Sequence, residues 1–180
     1  MFEMINRIFS LEPDYYKLPD PLFDDDMAFW KIRDTLGFFG PLILFFISIA
    51  VFITRIPYEI GYVFGFFINT VLNNYIKSSV KEARPEGGRS LFSWEIYSGT
   101  EKYGMPSLHA QSVVFSTVYL WLSGGSPSWL ILESFLSALT IYQRWHYKRH
   151  TIKQLAVGSA LGAGVAWGAW KLTTHFLRTQ

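Results

Sequence analysis

Three short stretches carry residue types suited to anion chemistry. Pro106-Ser107-Leu108-His109 stands immediately before a long apolar run, where burying a polar cluster is costly. The stretch admits two readings. In one, Pro106 takes the first position of a helix, whose leading N–H groups have no partner inside the helix, and the cluster has no further role. In the other, those N–H groups form an anion site with Ser107 and His109. Lys77 and Arg84 lie seven residues apart, two helical turns, and face the same way if their helix continues past the preceding apolar run; Pro85 then helps end it. Arg144 precedes His150, and His150 lies four residues before Gln154, on one face of a helix's first turns. Taken singly, a Lys or Arg at a helix end snorkels towards headgroups, and a lone His satisfies a local hydrogen bond. Together, three cations and two imidazoles at one interface offer charge for an anion and groups for proton transfer or nucleophilic attack.

The elements that must position these residues are apolar. Half of the 180 residues are hydrophobic and the mean hydropathy is positive, which points to the membrane class. Residues 35–54 contain no charge, and 20 residues is about the length that spans a hydrocarbon core as a helix. Further runs at 60–76, 110–125, 127–143 and 154–170 make five expected spans, the fourth interrupted by Glu133. The last carries Gly158 and Gly162, then Gly164 and Gly168, two pairs spaced for close helix approach. The expected fold is all-α: an integral membrane bundle over 35–180, preceded by a polar segment, 1–34. There Phe2, Ile5, Ile8 and Phe9 recur at the spacing of an interfacial helix, although a flexible tail fits equally well. That segment has no short apolar core behind a basic start, so no secretory signal is read in it. With no cysteine, disulfides are excluded.

Lys77 with Arg84-Pro85, then Pro106-Ser107-Leu108-His109, then Arg144 with His150 resemble, in order and spacing, the three signature motifs of the type 2 phosphatidic acid phosphatase superfamily. Gly104-Met105-Pro106-Ser107 followed by His109-Ala110-Gln111 is similar to the dolichyl diphosphate phosphatase branch. The resemblance implies a polyprenyl diphosphate substrate, the bilayer as the other partner, no nucleic acid and no cofactor. It also implies roles for individual residues. His150 attacks phosphorus to form a phosphohistidine, and His109 protonates the leaving oxygen. Lys77, Arg84, Arg144, Ser107 and the backbone N–H of Leu108 hold the phosphate. The two imidazoles must then hold opposite protonation states. No carboxylate cluster stands among the motifs to hold magnesium, so activity should survive a chelator.

Three positions depart from the broad family pattern: Gln154 where Asp is usual, Leu108 for Gly, and Gln143 for Ser. Gln154 is expected to accept from His150 Nδ1 and fix its tautomer without supplying charge, and the dolichyl branch shares this residue. With five spans, 13 of the 16 Lys and Arg fall on the side of the motifs, which the positive-inside rule makes cytoplasmic. The resemblance instead implies a site facing the lumen of the endoplasmic reticulum. His146 and His150 are spaced for a metal, but no cysteine or nearby carboxylate completes the set, so no metal is expected. Glu133 is expected to snorkel to the interface; Phe92, Trp94, Tyr97 and Tyr103 are read as anchoring a loop there, the other reading being that they cover the site or grip a prenyl chain. The competing readings are a broader lipid phosphatase, acting on phosphatidic acid or undecaprenyl diphosphate, and a membrane protein that binds a headgroup without turning it over.

Overall fold

The computed structural model describes residues 24–92, 95 and 99–179, with side chains from residue 31 onward. Five helices account for the expected runs: α1 (Asp24–Phe52), α2 (Ile56–Val80), α3 (Leu108–Leu122), α4 (Pro127–His146) and α5 (Ile152–Arg178). A 3₁₀ turn at Gly99–Lys102 and one isolated bridge, Ala83 with Tyr103, lie in the α2–α3 connection. The helix proposed for residues 2–9 lies outside the described residues, as do Trp94 and Tyr97. α1 starts at Asp24, ahead of the apolar run at 35, because charge ends a membrane span but not a helix, and residues 27–34 contain no Gly or Pro. Its segment Lys31–Phe52, 22 residues, is long and apolar enough to cross a bilayer. Large apolar side chains, among them Phe46, Phe64, Phe67, Ile131, Phe135 and Leu172, are exposed on the bundle.

α3 is the central helix and touches the other four, most extensively α5. Two glycines of α5 explain that approach. A Cβ on Gly158 would stand 2.5 Å from the Ser107 carbonyl oxygen, and one on Gly162 would stand 2.1 Å from that of Gln111. Gly164 and Gly168 have nothing within 4 Å, so only the first glycine pair is a packing seam.

The two ends of the bundle differ. Phe52, Tyr62, Phe115, Tyr119, Leu120 and Ala166 form an aromatic-rich core at the end away from the motifs. Towards the motifs the interior turns polar: Gln111 Nε2 donates to the carbonyl and the Oδ1 of Asn69, both at 2.9 Å, and Asn73 Nδ2 donates to Gln111 Oε1 at 2.7 Å. This network ties the beginning of α3 to α2, and all three side chains are completely buried. Glu133 does not snorkel. It lies on the inward stripe of α4 with Leu136, Ser137 and Thr140, fully buried, and accepts from Ser48 Oγ of α1 at 2.9 Å.

Candidate active site

The motifs meet where the end of α2, the start of α3, the end of α4 and the start of α5 come together. The condition for Lys77 and Arg84 to share a face, a helix continuing through Arg84, is not met. The helix stops at Val80, and Lys81 adopts a left-handed conformation (φ 52°) that turns the chain. The following residues pair with the approach to α3: Gly104 N–H donates to the Glu82 carbonyl at 2.8 Å, beside the Ala83–Tyr103 bridge. Lys77 and Arg84 therefore converge through Glu101, not through a shared helical face. Lys77 Nζ donates to Glu101 Oε1 at 2.9 Å, while Arg84 Nε and Nη2 donate to the Glu101 backbone carbonyl at 3.0 and 2.8 Å.

The second motif starts α3, but Pro106 is not in its first turn. Ser107 is the N-cap and accepts from Ala110 N–H at 3.4 Å; Pro106 precedes it, and Leu108 is the first helical residue. The N–H groups of Leu108 and His109 consequently have no acceptor inside the helix. Ser107 N–H donates to the Gln154 carbonyl at 3.2 Å, tying this start to α5.

His150 sits in the turn before α5, one residue ahead of the N-cap Thr151. Its partners differ from expectation. Nδ1 faces the Gly104 carbonyl at 2.9 Å, and Nε2 faces Arg84 Nη1 at 3.1 Å. A carbonyl only accepts, so Nδ1 carries the proton and the Nε2 lone pair accepts from Arg84. Gln154, expected to fix this tautomer, is turned away by its place in the helix. As third residue of α5 it completes a capping box, its Oε1 accepting from Thr151 N–H at 3.2 Å. Its Nε2 donates to Glu82 Oε1 at 2.9 Å and to the Ala83 carbonyl at 2.8 Å. Gln154 thus braces the strand-like segment that carries Arg84. A Cβ on Gly104 would meet the Gln154 amide at 2.5 Å, so a larger residue there would push that amide off its partners Glu82 and Ala83.

These contacts explain why an amide stands at 154. Gln154→Asp would bring a carboxylate towards Glu82 and lose the donor to Ala83. We expect that variant to lose about 1–3 kcal/mol of stability and to fall in activity, measured by thermal unfolding in detergent beside phosphate release. Restored or raised activity would contradict the bracing role.

Arg144 is almost wholly buried at the end of α4. Gln143, the third departure, accepts from its Nε at 2.7 Å, its guanidinium lies over the Phe38 ring at 4.7 Å, and Nη1 stands 3.8 Å from Glu95 Oε2. Arg144 Nη2 is buried without a hydrogen-bond partner among the described residues, an unmet donor that an anion would satisfy. His109 shares the same aromatic wall, 5.8 Å from the Phe38 ring. His146, the other half of the metal spacing, instead stacks on Tyr142 at 5.4 Å, and among the described residues no three His, Cys, Asp or Glu converge as a metal set.

Both imidazoles are held well below the ordinary histidine pKa: burial is the larger cause for each, then Arg144 for His109 and Arg84 for His150. Both rings feel the same cations, Lys77, Arg84 and Arg144, and a bound phosphate would offset that charge. Sequence reasoning missed Glu95, Glu101 and Arg149. Glu95 is anchored by the N–H groups of Leu91 and Phe92 and stands 3.8 Å from both Arg144 and Arg149. Arg149 offers its carbonyl to Arg84 Nη1 at 2.9 Å. The available signal was acidic residues inside an otherwise basic connection.

A helical bundle with buried cations, a free helix N-terminus and a lone-pair-bearing imidazole gathered at one end can hold a phosphoryl group and offer it a nucleophile. A family model described as the PAP2 superfamily matches residues 58–178, and the chain belongs to that superfamily. It is 30% identical over 160 residues to lipid phosphate phosphatase gamma of Arabidopsis thaliana, covering 78% of this chain and 68% of that one. It is also 30% identical over 159 residues to a dolichyldiphosphatase of Saccharomyces cerevisiae, covering 78% and 65%. Dolichyldiphosphatase 1 of Dictyostelium discoideum is 32% identical over 116 residues, 57% of this chain and 48% of that protein. The chain thus spans about two thirds of the first two relatives and half of the third. A transmembrane PAP2 type phosphatidylglycerolphosphate phosphatase from Bacillus subtilis superposes with a TM-score of 0.49 at 13% identity, over 88% of this chain and 89% of that one.

Proposed function

We propose that this protein is a polyprenyl diphosphate phosphatase whose five helices span the membrane and which releases the terminal phosphate through a phosphohistidine at His150. The observation that carries the reading is the state of His150: Nδ1 bound to a carbonyl, Nε2 with its lone pair facing the Arg84 guanidinium. Lys77, Arg84, the unmet Nη2 of Arg144 and the N–H groups of Leu108 and His109 take the phosphate oxygens; Ser107 holds the helix start that presents those groups. Arg84 must pass its donor from Nε2 to the phosphate before attack. The Nε2 lone pair then bonds to phosphorus as the bridging oxygen leaves with its electron pair, and His109 supplies the proton to that oxygen. The incoming phosphate charge raises the His109 pKa, which is what allows it to act as the acid in a site where it is otherwise neutral. Water next attacks the phosphohistidine, giving its proton to His109 and releasing inorganic phosphate and neutral His150.

The names of the yeast and Dictyostelium relatives support a dolichyl diphosphate substrate, yielding the monophosphate for reuse as a glycan carrier. On this reading the site faces the lumen of the endoplasmic reticulum, against the direction that the basic residues alone would give. The Arabidopsis relative's name favours a second reading, a broader lipid phosphatase. Detergent-purified full chain should release inorganic phosphate from polyprenyl diphosphate in the presence of excess chelator. It should do so faster than from phosphatidic acid, which shares the terminal phosphate but lacks the second one. Equal rates would establish the second reading. No release from any prenyl or glycerolipid substrate by folded protein would leave a headgroup receptor.

A further inference from the structure

We propose that Glu101 is the resident anion of the phosphate seat, and that substrate binds by displacing it, which restricts the seat to doubly charged terminal phosphates. The inference rests on the reading above, in which Lys77 and Arg84 hold the phosphate. Lys77 is 1% exposed, and Glu101 is its single hydrogen-bond partner among the described residues. A buried ammonium cannot be left without an anion, so the seat is filled in the absence of substrate. The Glu101 side chain, by contrast, is 43% exposed, and its second oxygen stands 3.5 Å from Arg84 Nη2. It can swing into water; Lys77 cannot follow.

Glu95 makes the contrast clear. Its carboxylate is 4% exposed and anchored by two backbone N–H groups, so it is a fixed counter-charge between Arg144 and Arg149. Displacing the Glu101 carboxylate also leaves Arg84 in place. Arg84 Nε and Nη2 are held by the Glu101 backbone carbonyl, which does not depend on the side chain. The exchange is therefore local to one carboxylate on the 3₁₀ turn.

Charge decides what can drive it. A phosphodiester headgroup brings one negative charge and merely replaces the one that departs. A terminal phosphate near its dianionic form adds a second charge beside Lys77, Arg84 and Arg144. In a membrane crowded with phosphodiester lipids, such a carboxylate keeps the seat for terminal phosphates. The exchange is one of electrostatic discrimination, in which a repulsive element rejects the wrong ligand.

The test uses detergent-purified full chain and two soluble probes, orthophosphate and dimethyl phosphate, titrated calorimetrically at pH 8. Glu101→Gln should bind orthophosphate about tenfold more tightly than wild type and acquire measurable dimethyl phosphate binding, because a like charge at the seat is gone. Glu101→Asp keeps the charge but shortens its reach to Lys77, so it should shift orthophosphate binding in the same direction by less; it serves if the Gln variant does not fold. Unchanged or weakened orthophosphate affinity in these variants would overturn the proposal and make Glu101 a structural clamp. Wild-type turnover is scored separately. Turnover without tighter binding in the variants removes the exchange and keeps the phosphatase reading; tighter binding without any turnover does the reverse.

Discussion

His150→Ala should lower phosphate release by a factor on the order of 10⁴ or more, the effect expected when a nucleophile is removed from an enzyme that works through a covalent intermediate. Binding should persist in that variant. Lys77 and Arg84 keep their partner Glu101, and Arg144 keeps Gln143 and Phe38. Rapid quenching of wild type with labelled substrate should trap an acid-labile phosphoenzyme, absent from His150→Ala. The lone pair on Nε2 makes this a sharp expectation, since the Gly104 carbonyl admits only the tautomer that leaves Nε2 unprotonated. Residual turnover above about a hundredth of wild type, or a trapped phosphoenzyme in the variant, would move the nucleophile elsewhere.

Gly162→Val should be the most damaging single change away from the charged residues. Its Cβ would fall 2.1 Å from the Gln111 carbonyl oxygen, a backbone atom that no rotamer change can move aside. α3 and α5 must separate, at a cost of about 1–3 kcal/mol or more. Separation also pulls apart what they position, because Ser107 N–H bonds the Gln154 carbonyl and Gly104 bonds His150 across this same seam. Activity should therefore fall further than stability alone accounts for. Gly168→Val is the control: nothing lies within 4 Å of that position, and it should be close to neutral. Thermal unfolding in detergent and phosphate release on both variants check the pair; equal effects would refute the seam.

The apolar runs already marked five helices, because burial and hydrogen-bonding within a helix are local matters of composition and length. The same runs did not mark where α1 begins, since charged residues in 24–34 end an apolar stretch without ending a helix. The motifs were legible too, as ordered spacings of Lys77, Arg84, Ser107, His109, Arg144 and His150 along the chain. Their partners were not. A periodicity argument placed Gln154 under His150, yet capping of α5 draws its side chain into the helix start and towards Glu82, and a carbonyl from before α3 takes its expected role. Glu133 read as an interfacial charge and is an interior one, because which face of α4 turns inward depends on its neighbours.

By itself the sequence determined the helical class, the polar ends of the helices and the identity of the groups available for phosphate chemistry. Tertiary structure decided which of them meet and what already occupies them. A left-handed residue at Lys81, a short pairing at Ala83 and Tyr103, and two glycines that let α5 lie against α3 bring distant residues within 3 Å. Glu101 is the plainest case: in the sequence it is one acid in a basic loop, and in the fold it is the anion that a buried lysine requires. Helix formation follows from neighbours a few residues apart. Charge compensation follows from neighbours in space, and for Lys77, Arg84, Arg144 and Arg149 those lie 17 to 54 residues away.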